Sequence, residues 1–155
     1  TMVRLLDKNS GQEFYFYNTH FDHMGKVARE ESGKLIVSRM KSIIPNDAPV
    51  VLTGDFNAGY NDPILDPIEE YMTSARSAAL VTDSLNTFNG WGKIDPEEGG
   101  KVIDHIYFRN LVPSLFETIT GAYAGVEYIS DHYPVIAVFT LKDVQNQEVQ
   151  RESSK

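Results

Sequence analysis

Four short segments concentrate the residue types that handle protons and phosphate: Asn18-Thr19-His20-Phe21-Asp22-His23, Gly54-Asp55-Phe56-Asn57, Ile103-Asp104-His105-Ile106-Tyr107 and Ser130-Asp131-His132-Tyr133-Pro134. All four histidines of the 155-residue chain fall within three of them. Taken singly, each segment has a plainer explanation. Asn-Thr-His at a strand end satisfies turn backbone, Gly-Asp-Phe-Asn is ordinary turn chemistry, and Asp-His ahead of Tyr-Pro is a loop entering an edge strand. Together they supply an acid, an amide, a second acid and two histidines. Those are the groups that activate a water and hold an anion with the help of a metal.

Such residues act only where rigid elements present them. The aromatic-rich run from Glu13 to Thr19 reads as a strand, with Met2 to Leu6 its partner across a turn at Lys8-Asn9-Ser10-Gly11. From Met24 onward, apolar residues at Met24, Val27, Ala28, Leu35, Ile36, Met40 and Ile43 follow helical spacing, and Pro45 and Pro49 end the helix. Pro49 to Thr53 is a short apolar run suited to a buried strand, Gly54 to Asn61 a loop, and Asp62-Pro63 the opening of a second helix. Beyond Asn86 the chain turns to loops at 89–92 and 96–100, then to strands at Val102–Arg109 and Pro134–Leu141. The fold expected is mixed α/β (α+β), a mainly antiparallel sheet packed inside helices, over residues 1–142. Asp143 to Lys155, polar and without aromatics, reads as a solvated tail.

Composition narrows the partners. Acidic residues number 22 against 14 basic, a formal net charge of −8, so no bulk positive field gathers duplex DNA. Apolar runs such as Ala78 to Val81 fall far short of the roughly 20 residues that cross a bilayer, so no membrane-spanning segment is expected. The absence of cysteine excludes disulfides and thiolate metal sites and is compatible with an exported bacterial protein.

The order N-T-H, G-D-F-N, I-D-x-I-Y, S-D-H-x-P, running from about Val3 to about Leu141, resembles the endonuclease/exonuclease/phosphatase superfamily. That resemblance implies a DNase I-like, four-layer α/β sandwich and hydrolysis of phosphate esters, diester or monoester, with Mg²⁺ or Mn²⁺. Residue by residue, it implies that Asp55 orients or deprotonates the water. Asn57, two residues on and on the same face of an extended segment, donates to a phosphate oxygen. His20 and His132 hold the phosphate, Asp104 orients His132, and Asp131 reaches the cation. His105 alternates to the face opposite Asp104 and is expected to pack or hydrogen-bond; His23 caps the following helix or lines the cleft. The aromatic, loop-rich stretch from Phe88 to Gly100, with Trp91 as a stacking platform, suits a small phosphate ester, a lipid headgroup or single-stranded nucleic acid.

A complete domain of this superfamily has roughly 250 residues, within the range single β-rich domains reach. The chain is therefore expected to be the carboxy-terminal half of such a domain, without the early Asn and the Glu that is the family's main metal ligand. An apolar face left open by that loss implies a homo-oligomer or association with the missing amino-terminal half. The alternative is a non-catalytic binding or structural module that keeps the fold without a complete metal site.

Overall fold

A computed structural model describes residues 1–98 and 102–141. Strands β1 (Met2–Leu6) and β2 (Glu13–His20) form the expected hairpin, paired antiparallel with Met2 opposite Tyr17 and Leu6 opposite Glu13. The Asp7 carboxylate closes its turn by accepting the Asn9 and Ser10 main-chain N–H groups, and Gly11 takes the left-handed conformation that turn requires. Helix α1 (Lys26–Ile43) then crosses over to β3 (Val50–Asp55), which lies parallel to β2. A 3₁₀ turn at Pro63–Leu65, capped by the Asp62 carboxylate accepting the Ile64 N–H, runs into the one-turn helix α2 (Asp66–Glu69). After β4 (Thr73–Ser74) and the one-turn helix α3 (Ala75–Ala78) come β5 (Asp104–Arg109), β6 (Leu111–Thr118) and β7 (Val135–Leu141).

The first five strands make one mixed sheet in the order β1-β2-β3-β5-β4, and β6 and β7 make a second, antiparallel pair. Alternation along β3 divides the core. Val50 and Leu52 point to α1 and the 3₁₀ turn, where they pack with Met40, Phe56, Leu65, Ile68 and Tyr107. Val51 points the other way, with Ile106 and Phe108, onto Phe116 of β6 and the inward residues Val135, Ala137 and Phe139 of β7. Each such apolar side chain taken from water contributes about 1.5–3 kcal/mol. The first sheet is thus held between a helical layer and a second sheet.

Three expectations need correction. Helix α1 forms where expected, but its buried positions are Gly33, Val37 and Met40, while Met24, Val27 and Leu35 are exposed. The run that looked like one apolar face straddles two. Between the expected strands at Val102–Arg109 and Pro134–Leu141 the structure adds β6, whose alternation Pro113 and a bulge between Pro113 and Leu115 interrupt. The extended geometry assumed for Asn57 is also absent: β3 ends at Asp55, and Asn57 has φ 48°. The polar tail and the last two residues of the Phe88–Gly100 stretch lie outside the described residues.

Candidate active site

Pairing register builds the site. On the parallel β2–β3 ladder His20 stands opposite Asp55, and on the antiparallel β3–β5 ladder Asp55 stands opposite Asp104. The C-terminal ends of β2 and β3 and the start of β5 therefore set three ionisable residues in one row. Gly54 permits the close approach there: a Cβ on it would lie 2.2 Å from the Thr19 carbonyl oxygen.

The fourth group arrives from a loop. His132 bridges to Phe88 in a one-pair antiparallel contact, and its ring meets that of Phe88 edge to face at 5.1 Å. Its Nδ1 lies 2.8 Å from Asp104 Oδ2, which leaves Nε2 pointing toward Asp55 Oδ2 at 3.8 Å. His20 Nε2 approaches the same Asp55 oxygen at 3.2 Å from the opposite strand, with 72% of its side chain exposed. The other oxygen of Asp55 accepts the Asn57 main-chain N–H at 2.8 Å and so fixes the carboxylate. One carboxylate oxygen thus faces two imidazoles at the open end of the sheet. Burial pushes the Asp104 carboxyl above its ordinary value, opposed by hydrogen bonds from Thr87 and His132.

The remaining candidates are placed as follows. The Asn57 amide donates to the Phe21 carbonyl at 2.9 Å and pins the β2 end to the turn after β3. Asp131 holds the neighbouring turn through its main-chain carbonyl, which accepts the Asn89 and Gly90 N–H groups; its carboxylate lies 3.5 Å from the Ser130 hydroxyl. Trp91 is exposed with φ 63°. His105 is buried on the face away from Asp104, with Nε2 2.8 Å from the Ala58 carbonyl. His23 is exposed and caps nothing: Gly25 is the N-cap of α1, and the Asp22 carboxylate makes the turn before it.

Two buried residues that the motifs did not single out hold the site together. The Thr87 hydroxyl accepts the Ile103 and Asp104 main-chain N–H groups, both at 3.0 Å, and the Thr87 carbonyl accepts the Tyr133 N–H at 2.7 Å. Asn89 donates its amide to the Ser130 carbonyl and accepts the Trp91 and Gly92 N–H groups. They tie the Asp104 strand to the loop that carries His132. Their signal in the sequence is Asn86-Thr87-Phe88-Asn89, three hydrogen-bonding side chains around one aromatic.

Among the described residues, Asp55, Asp104 and His132 place ligand atoms within 4.8 Å of one another. Two carboxylates beside an imidazole fit a hard cation that completes its shell with water and phosphate oxygens. The Asp104 carboxylate is engaged by Thr87 and His132, and that of Asp55 by the Asn57 N–H and His20.

A model of the Endonuclease/Exonuclease/phosphatase family matches residues 4–132. Among solved structures, an endonuclease/exonuclease/phosphatase from Bacteroides vulgatus superposes with a TM-score of 0.80 at 32% identity, covering 91% of this chain and 54% of that one. A mannosyl-6-phosphatase of Bacteroides thetaiotaomicron superposes with a TM-score of 0.80 at 29% identity, over 90% of this chain and 56% of its own. An uncharacterised protein of Acanthamoeba polyphaga mimivirus is 24% identical over 149 residues, 86% of this chain and 52% of its own length. The chain spans about half the length of the relatives it matches.

Proposed function

Because the chain belongs to the endonuclease/exonuclease/phosphatase family, whose DNase I-like α/β fold it shares in part, we propose that it hydrolyses phosphate esters by direct attack of water, dependent on a divalent metal. The observation that carries this reading is the single Asp55 oxygen facing the imidazoles of both His20 and His132. Asp55 accepts the proton of the attacking water as its oxygen bonds to phosphorus. His132 is kept in one orientation by Asp104 on Nδ1 and presents Nε2–H to a non-bridging phosphate oxygen as negative charge builds there. His20, more open to solvent, donates to the phosphate or to the departing oxygen as the ester bond breaks. Asn57 keeps one amide N–H beyond its bond to Phe21 for the phosphate. Asp55, beside Asp104 and His132, would hold Mg²⁺ or Mn²⁺, with Asp131 the further carboxylate that the family resemblance implies, and the cation would supply neutralising charge for the phosphate.

The similar Bacteroides protein named as a mannosyl-6-phosphatase makes a phosphomonoester the first substrate to test, and the net charge of −8 places duplex DNA last. The direct experiment is hydrolysis of an aryl phosphomonoester, an aryl phosphodiester, a hexose 6-phosphate and short single-stranded DNA, with Mg²⁺ and with EDTA. Turnover is expected with metal and not with chelator. His132→Ala is expected to lower it at least about a hundredfold with an unchanged circular dichroism spectrum; a rate near that of the parent sinks the mechanism. We further propose that the chain pairs with a second copy or with the remainder of a full-length domain.

A further inference from the structure

A second cavity adjoins the site. It lies between the 121–129 hairpin and the His132 loop, has a volume of about 180 Å³, and shares His132 with the phosphate cluster. Its walls are carbon: Ile119, Val126, Ile129 and Pro134, with the tyrosines at 128 and 133. Glu127 lines it as well, and two of its other polar side chains are engaged within the fold. Asn89 is used at both ends of its amide, and the Ser130 hydroxyl accepts the His132 N–H at 3.1 Å.

The cavity is built rather than incidental. Tyr123 and Val126 exchange two main-chain hydrogen bonds of 2.9 Å across a two-residue turn, Ala124-Gly125, both of positive φ. The hairpin is locked to the turn bearing Trp91 because Gly92 makes room for Tyr128: a Cβ at 92 would lie 2.5 Å from that ring. The Ile119 N–H donates to the Pro134 carbonyl at 2.9 Å and ties the two sides together.

Resting on the phosphoesterase reading, we propose that this cavity binds a flat, apolar six-membered ring carried by the alcohol part of the substrate, as in an aryl phosphate. Size supports a single ring, since an apolar cavity of about 150 Å³ accommodates benzene. Lining chemistry supports an apolar one, because a polyhydroxylated ring would meet walls that are mostly carbon. Sharing His132 sets the cavity beside the phosphate cluster, where one molecule can reach both.

Equilibrium binding of non-hydrolysable phosphonates to the folded chain, measured by calorimetry with Mg²⁺ present, tests this. Phenylphosphonate is expected to bind at least tenfold tighter than methylphosphonate. Gly121→Leu adds an isobutyl group at the cavity wall, and the added Cβ meets nothing within 4 Å, so the fold tolerates it; it is expected to bring that ratio to about one. Equal binding of the two phosphonates, or a ratio untouched by Gly121→Leu, overturns the assignment and leaves the phosphate site standing. A hexose 6-phosphonate that matches phenylphosphonate overturns the apolar character of the ring. If none of the phosphonates binds, the phosphoesterase reading itself falls, and the ring pocket with it.

Discussion

At the scale of single residues, buried hydrogen-bonding groups around the site have larger consequences than their exposed neighbours. Thr87 accepts two main-chain N–H groups through one hydroxyl, so Thr87→Val strands both donors beside Asp104. Chemical denaturation is expected to show a loss of about 1–3 kcal/mol, and hydrolysis should fall with it, whereas Thr87→Ser should recover both. His105 bears on pH. Burial holds its imidazole below the ordinary value, and among the described residues its Nδ1 has no hydrogen-bond partner for a second proton. As pH falls below about 6.5, the unfolded chain takes up a proton that the folded chain refuses. Stability is therefore full above that pH and declines below it, toward the depressed folded value. Urea melts at pH 7.5 and 5.5 should show this decline, and His105→Gln, which keeps a donor toward Ala58, should flatten it.

At the scale of elements, the site depends on strand ends more than on helices. Gly54→Ala would drive a methyl group into the Thr19 carbonyl and part β2 from β3 where His20 meets Asp55. The expected cost is about 1–3 kcal/mol in denaturation, together with a loss of hydrolysis beyond what that instability explains. The same strand ends account for what the sequence discloses. His20, Asp55, Asp104 and His132 could be read as a set because ionisable residues interrupt apolar or aromatic runs at just those points. The hairpin was legible from its turn, and α1 from its spacing and the prolines that follow. The buried face of α1 was not, because Gly33 is covered by the Ile64 carbonyl and Ile68, partners some thirty residues away that periodicity does not encode. The parallel pairing of β2 with β3 is likewise a tertiary choice. Thr87 and Asn89 stayed hidden because their partners include main-chain groups of distant segments, and loop threonines and asparagines are commonplace.

At the scale of the molecule, the two sheets leave an apolar groove lined by Phe16, Val51, Ile106, Val135, Ala137 and Phe139. Ile136, which also lines it, and Val138 of β7 are exposed. A chain of this kind is expected to bind a hydrophobic dye and to sediment above its monomer mass of 17.4 kDa at micromolar concentration; dye-free, monomeric behaviour would count against the pairing proposed above. The row His20–Asp55–Asp104, completed by His132, joins segments drawn from the beginning, middle and end of the chain. No local event assembles it. Contacts between distant segments form slowly, since the entropy of closing each loop is lost before the pairing rewards it. The proposed hydrolysis, followed as it returns after dilution from denaturant, is therefore expected to time the docking of the last strand and loop and to lag behind any spectroscopic signal from the helix.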